Sequence, residues 1–173
     1  MLTGQSTPTY QDTEITNDGF WPNLNAGDFE RRRSTPMAQD AENIQYAIVA
    51  AIDSCNIELE LLKTDYLANG INSAADVTGG ATIDGKNALC IQYERAVFAR
   101  AKADLLPDFA TVHQRDAGKD LAERSQETKN ELLAESNRII RNMYGKTRST
   151  VTMICIRHQL RQKPTHRATC SKR

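Results

Sequence analysis

Three long stretches of the chain repeat apolar residues in alternating steps of three and four. The first runs from Pro36 to Asn69, the second from about Lys86 to Leu106, and the third from about Asp116 to Tyr144. This spacing places apolar side chains on one face of an α-helix, whose period is 3.6 residues. A chain of 173 residues can bury such faces in one core without metal or disulfide staples. The pattern predicts a mainly all-α bundle of about three long helices.

Residues that favour helix ends flank each stretch. Thr35 as a cap and Pro36 in the first turn predict the start of the first helix, and Asn69-Gly70 predicts its end. Pro107 is expected to end the second helix and Gly145 the third. The first helix is expected to bury the stripe formed by Ile44, Ile48, Ala51, Ile52, Cys55, Leu59, Leu62 and Tyr66.

The N-terminal part is different in composition. Residues 1–19 are polar and predict a flexible leader. Phe20-Trp21-Pro22 then predicts an aromatic plug packed on the core, with an exposed binding role for Trp21 as the alternative. A short helix is expected within 24–33, because acidic residues come early and arginines late. We therefore expect a helical domain over residues 20–148.

Two short segments have β character. Val77-Thr78 and Thr82-Ile83 flank Gly79-Gly80 and weakly predict a hairpin, with a loop as the alternative. Residues 149–156 (STVTMICI) predict a strand with apolar residues on both faces. This strand has no obvious partner in the chain. It could add to the exposed sheet edge of another protein, or it could pair with residues 76–83 of its own subunit.

The net charge of zero conceals a strongly basic end. Acidic residues are absent from 157–173, which predicts a flexible tail that seeks phosphate or a carboxylate-rich surface, with a merely solvated terminus as the alternative. The basic residues of this tail are Arg157, Arg161, Lys163, Arg167, Lys172 and Arg173.

The third predicted helix has a row of acidic residues opposite its apolar face. At 3.6 residues per turn they fall within an arc of about 120°. Such an acidic ridge is either a solvated face or a functional charged surface. Its members are Asp116, Asp120, Glu123, Glu127, Glu131 and Glu135.

Catalytic and metal-binding patterns are weak. The four cysteines form no Cys-x-x-Cys pair, and Cys55 and Cys90 are expected to be buried, reduced and structural. Cys155, His158, His166 and Cys170 are suitable zinc ligands by type, but the stretch between the two pairs is too short for common zinc modules. Neither a nucleophile elbow nor a phosphate-binding glycine loop occurs. We expect no enzymatic activity, no metal or cofactor, no signal peptide and no membrane span.

Several motifs occur together in one order along residues 20–154. They are Phe20-Trp21-Pro22, Asn56-x-Glu58-Leu59, Gly70, Ala75-Asp76-Val77, Ile83-Asp84-Gly85, Tyr93-x-x-Ala96-Val97, Ala101-x-Ala103-x-Leu105-Leu106 and Arg148-x-Thr150-Val151. This collinear set resembles the head completion (head stabilisation) proteins of temperate contractile-tailed bacteriophages, the GPL family. Residues 157–173 extend beyond the usual C-terminal end of the proteins in that family.

The resemblance implies a structural virion protein without catalysis. It would join the neck after packaging, in the host cytoplasm, as a ring of twelve copies. Its partners would be the portal protein, a tail-side neck or terminator protein, other copies of itself, and double-stranded DNA that passes without sequence specificity. Related connectors imply that the C-terminal segment reaches the portal, here through Thr150, Val151, Thr152, Met153, Ile154, Cys155 and Ile156. The competing hypothesis is a small helical adaptor outside any virion, which binds nucleic acid or an acidic partner through its tail.

Overall fold

The fold is a bundle of helices with two very small sheets. The computed structural model describes residues 9–33, 40–112 and 120–145, and the side chains of all of these except 108–112 and 120–127. Its helices are α1 (Ala26–Arg33), α2 (Ala41–Ala68), α3 (Ala88–Val112) and α4 (Asp120–Met143). Helix α3 packs against both α2 and α4, so it forms the middle of the bundle. The mainly all-α fold class is confirmed.

One small sheet precedes the first helix, and the other lies in the connection between α2 and α3. Strand β1 (Glu14–Ile15) pairs antiparallel with β2 (Leu24–Asn25), and β3 (Thr82–Ile83) pairs antiparallel with β4 (Lys86–Asn87). The second hairpin turns at Asp84-Gly85, where φ is 49° and 79°. Positive φ at both central residues is what a tight primed turn requires, and Asp-Gly supplies it. The hairpin predicted around Gly79-Gly80 is therefore wrong, and the alternative of a loop at these glycines is correct.

An aromatic cluster fills the space between the N-terminal strands and the helices. Phe20 and Trp21 are only 3% and 2% exposed, which confirms the predicted plug. The Trp21 ring stacks on that of Tyr93 in α3, with centroids 4.7 Å apart and planes 5° apart. Phe20 meets Trp21 edge to face and stacks on Tyr66 of α2. The plug thus joins the β1–β2 connection to both central helices.

Residues 9–19 are built into the fold, although they were expected to belong to a flexible leader over 1–19. Ile15 lies in the core, and the Gln11 side chain and backbone N–H both donate to Glu30 of α1. Many polar side chains of this stretch are exposed, but several also bond to other parts of the protein, which holds the stretch against the bundle. Residues 1–8 lie outside the described part of the chain.

Helix α2 begins later than predicted. Asp40 has an extended backbone, and its carboxylate accepts a hydrogen bond from the N–H of Glu42, so Asp40 is the cap. Thr35 and Pro36 lie outside the described residues, and the predicted start at Pro36 is wrong. The predicted end is correct, since Asn69 follows the last turn and Gly70 has a φ of 80°. The predicted apolar stripe of α2 is buried or half-buried along its whole length.

Helix α3 differs from the prediction at both ends. Lys86 and Asn87 belong to β4, and the Asn87 carbonyl Oδ1 accepts the N–H of Cys90 in the first turn. At the other end, Pro107 lies inside the helix instead of ending it. Proline removes one hydrogen bond of the helical ladder. Extensive packing of α3 against α4 offsets this loss.

Within the described residues, no helix is long and apolar enough to cross a membrane. Helix α4 begins at Asp120, and the predicted first residues of that helix, including Asp116, lie in the undescribed stretch 113–119.

Gly27 gives a test of the N-terminal packing. It lies in the first turn of α1, where a Cβ atom would overlap the carbonyl oxygen of Gln11. Alanine normally stabilises a helix by about 1 kcal/mol relative to glycine. We expect Gly27→Ala instead to lower the free energy of unfolding by about 1–3 kcal/mol in urea titrations, because the backbone must shift. Asn43→Ala, at an exposed position of α2, is the control and should be neutral or slightly stabilising. A gain in stability for Gly27→Ala would contradict the packing.

Candidate assembly surfaces

The last described residues fix the place where the C-terminal segment leaves the bundle. Ile140 and Met143 are buried, and the Tyr144 hydroxyl donates a 2.6 Å hydrogen bond to the carbonyl of Glu58 in α2. Gly145 then has a φ of 66°, the left-handed conformation that commonly ends a helix. The segment after α4 therefore starts beside the middle of α2.

Arg100 of α3 joins the three long helices close to this point. Its guanidinium lies 2.8 Å from the Glu58 carboxylate on α2 and 3.1 Å from the Asn137 amide oxygen on α4. The Arg100 side chain is largely buried, so its donors meet protein groups instead of water. The exit of the C-terminal segment is consequently held in a defined position.

Most of the residues predicted to make intermolecular contacts lie outside the described chain. This applies to the strand residues 150–156 and to the six basic residues of the tail. The four zinc-ligand candidates at 155, 158, 166 and 170 lie there as well. These assignments therefore stay predictions.

The acidic ridge on α4 is described only in part. Asp116 lies outside the described residues, and for Asp120, Glu123 and Glu127 only the backbone is described. Glu131 is exposed, as expected for a ridge. Glu135 is different, since its carboxylate lies 3.2 Å from both Arg33 and Arg95. Its charge is compensated within the subunit, so Glu135 does not belong to a free acidic surface.

Arg33, the last residue of α1, organises this contact. It also donates to the carbonyl of Arg95, while the Lys102 ammonium donates to the carbonyl of Arg33. Partial burial alone would raise the pKa of Glu135, but the guanidinium groups of Arg33 and Arg95 outweigh it and hold the pKa below its ordinary 4.5. From sequence, Arg31-Arg32-Arg33 indicated only a favourable helix dipole, and nothing pointed to Glu135 as a partner.

A second polar contact fixes the aromatic plug. The Asp18 carboxylate accepts the backbone N–H groups of Phe20 and Trp21, each at 3.0 Å, and pairs with Lys63 at 2.8 Å. Burial would raise the pKa of Asp18, but the Lys63 contact and the two N–H donors outweigh it and lower the pKa. Asn17 beside it donates to the Tyr93 hydroxyl.

An acidic cleft of about 500 Å³ lies between the β1–β2 pair, α1 and the start of α3. Asp12, Glu14 and Asp28 line it together with Lys86 and Glu94. The deepest carboxylate, Glu94, is almost fully buried, with Arg32 at 2.7 Å and Lys86 at 3.0 Å. Asp12 and Glu14 accept hydrogen bonds from Asn25 and Asn23, and Asp28 pairs with Arg31. Each acid of the cleft therefore has a partner within the subunit.

The described cysteines are structural. Cys55 and Cys90 are buried and free, as predicted. Burial raises the pKa of the Cys55 thiol to about 11, so it is protonated and weakly nucleophilic near neutral pH. In the part of the chain that the structure describes, histidine, cysteine and carboxylate side chains form no cluster suited to a metal ion.

Comparison of the sequence with known proteins assigns the chain to a family. Residues 15–154 match the phage head completion protein (GPL) family. The chain belongs to this family. The resemblance inferred from the collinear motifs is thereby confirmed, and the match includes the N-terminal strand β1 as well as the bundle of this head completion protein.

Two phage proteins are similar to it over most of their length. A "Probable head completion/stabilization protein" of Haemophilus phage HP1 (strain HP1c1) is 35% identical over 154 residues, which cover 89% of this chain and 100% of that protein. The "Head completion/stabilization protein" of Escherichia phage P2 is 26% identical over 147 residues, 85% of this chain and 86% of that protein. No solved structure matches. Family members are structural components of the phage head rather than known enzymes.

The Glu135 contact predicts a specific pH dependence. Because its folded pKa is depressed, the stabilisation is fully present above pH 4.5 and is lost as the pH falls through the lower, folded value. At pH 7, Glu135→Gln should lower the free energy of unfolding by about 1–2 kcal/mol. The difference from wild type should shrink as the pH falls below 4.5.

Glu131→Gln, at the exposed position one turn earlier, is the matched control for urea titrations at several pH values. It should change stability by less than about 0.5 kcal/mol. Equal effects of the two substitutions would show that the Glu135 contact contributes nothing of its own.

Proposed function

We propose that this protein completes the packaged phage head by forming a ring on the portal, joining the head to the tail-side neck protein and retaining the DNA. The ring has twelve copies, and residues 150–156 bind the portal. The protein meets the portal in the host cytoplasm during assembly and then remains in the virion.

The extent of the family match is the observation that carries this proposal. It does not end with the bundle at Gly145 but continues to residue 154, into the predicted portal-binding strand. The segment beyond α4 is therefore a family feature and not an extension peculiar to this chain. A segment of this length with apolar residues on both faces needs backbone partners and cover, which the edge of a neighbouring sheet provides.

The position of the chain end supports the same role. Tyr144 and Arg100 attach the last turn of α4 to α2 and α3. A segment that leaves a rigid base loses less conformational freedom on binding than one attached to a loose helix. The bundle would thus present residues 150–156 to the portal.

The basic tail has a separate role in the proposal. Residues 157–173 lie beyond the family match, so they would add to portal binding instead of providing it. We propose that their charges meet portal carboxylates or the last packaged DNA, where they would displace counterions. The family match favours this virion role over a free nucleic-acid adaptor.

Deletion of residues 149–173 tests the portal contact. The shortened chain retains every described residue, so its thermal unfolding should match that of wild type. We expect it to lose co-sedimentation with purified portal and to fail to stabilise filled heads, measured as DNA protected from nuclease. Deletion of 157–173 alone is the matched control and should retain portal binding at high salt, where the charges of the tail are screened. If the 149–173 deletion binds the portal as well as wild type does, the proposal is contradicted.

Removing the tail tests its electrostatic role. Because six basic residues are lost, portal affinity or head stability should fall at low salt and approach wild type at high salt. Titration of portal binding at several salt concentrations, together with nuclease protection of filled heads, measures this. If affinity and head stability are unchanged at every salt concentration, the tail takes no part.

A further inference from the structure

Helix α2 has a second apolar stripe on the side that faces away from the bundle. Tyr46, Val49, Ile57 and Leu61 are 73%, 50%, 69% and 74% exposed. At 100° per residue they lie within an arc of about 120°, opposite the buried stripe that contains Ile48. A helix packed on only one side normally has a polar outer face. None of the residues that the structure describes therefore covers the outer α2 stripe, as we call these four residues.

The charges along this stripe narrow the choice of partner. Glu42, Asp53 and Glu60 are exposed along the same side of α2, and no lysine or arginine occurs in α2 before Lys63. Glu42 and Asp53 form no ion pair with another described residue, and Glu60 lies three residues before Lys63, which pairs with Asp18. Two α2 helices packed face to face would bring these acids together, which is unfavourable. The surface instead fits a partner with basic side chains.

The last two turns of α4 carry such basic side chains on the outer face of the helix, beyond Glu131, the last exposed acid of the ridge on the same face. Arg138 and Arg141 are exposed on the side opposite the buried Ile139, Ile140 and Met143. Neither arginine forms an ion pair with another described residue, in contrast to Arg33 and Arg100. Ala134, one turn earlier, is small and exposed, which leaves room for a bulky side chain. The aliphatic parts of arginine side chains can also cover apolar residues, and their guanidinium groups can stack on an aromatic ring such as Tyr46.

We propose that the outer α2 stripe of one copy binds the outer face of α4, around Arg138 and Arg141, of the next copy. The contact joins two different surfaces, so each subunit keeps one free α2 stripe and one free α4 face. Contacts of this head-to-tail kind close into rings or continue as filaments. The inference rests on the proposed ring and names the residues that would form it.

The size of the stripe is adequate for the centre of such a contact. Stable interfaces bury about 800 Å² on each partner, and a large apolar patch on a monomer covers roughly 300–600 Å². Four large side chains that are at least half exposed would supply the apolar centre. Asp53 lies between the Tyr46–Val49 and Ile57–Leu61 pairs, so it would meet the arginines inside the contact, with Glu42 and Glu60 towards its two ends.

Mixing two blocked variants of the full-length chain, without portal, tests the contact. Ile57→Glu combined with Leu61→Glu blocks the α2 stripe, and Arg138→Glu combined with Arg141→Glu blocks the α4 face. All four positions are exposed, so thermal unfolding should stay close to wild type. In sedimentation velocity, wild type should form larger species as its concentration rises. Each variant alone should associate at least about tenfold more weakly, because charges or apolar contacts are lost.

An equal mixture of the two variants should form a dimer and stop there, since it contains one intact α2 stripe and one intact α4 face. Ile83→Glu, at an exposed apolar position of the β3–β4 hairpin, is the control and should associate like wild type. The proposal is overturned if wild type stays monomeric at its highest soluble concentration. Undiminished association of the α4 variant would overturn it too, because a symmetric α2–α2 contact would then explain assembly.

Portal binding separates this inference from the proposed function. If the variants stabilise heads normally but their mixture forms no dimer, the α2–α4 contact is contradicted and the proposed portal role stands. If wild type associates through the two surfaces but does not bind the portal, the α2–α4 contact stands and the proposed portal role is contradicted.

Discussion

The stacking of Trp21 on Tyr93 is the contact on which the rest of the bundle depends. It brings the N-terminal strands against α3, while Phe20 reaches Tyr66 and extends the same cluster to α2. Asp18 holds the plug in place through two backbone N–H groups and Lys63. An aromatic pair on a short connection would be costly to expose, so its burial fixes how the N-terminal part lies across the helices.

With that side of α2 and α3 occupied, α4 packs Ile139, Ile140 and Met143 into the core, and charged side chains fix its position. Arg33, Arg95 and Glu135 join α1 and α3 to the middle of α4, and Arg100 and Tyr144 join its end to α2. These contacts differ from the exposed ion pairs of a typical surface because Arg33, Glu135 and Arg100 are mostly shielded from water. Among the described residues they leave two surfaces uncovered, the outer α2 stripe and the outer face of α4, and they hold the end of α4 beside α2. Function in this family is thus expected at the outside of the bundle, not in a pocket.

Features that depend on local periodicity could be predicted from the sequence. The buried stripe of α2, the burial of Phe20 and Trp21, and the end of α2 near Gly70 all follow from residue spacing or from a single conformational preference.

The wrong predictions concern positions where two residues, or two physical effects, compete for the same structural role. Asp40 and Thr35 are both good caps, Asp84-Gly85 and Gly79-Gly80 can both turn, and Pro107 ends a helix only when packing does not offset the lost bond. The pairing of Glu135 with Arg33 joins residues far apart in sequence, and periodicity carries no information about it. Residues 150–156 were assigned to portal binding through the family resemblance and their apolar pattern, and this assignment stays a prediction.

Cryo-electron microscopy of the purified portal mixed with the full-length chain tests the central claim most directly, namely that the bundle presents its C-terminal segment to the portal. The account predicts a ring of subunits on the portal, with residues 150–156 of each copy paired as an added strand along a portal sheet edge. A ring in which this segment pairs with residues 76–83 of its own subunit and touches no portal chain would contradict it. Portal particles that carry no added subunits would contradict it as well.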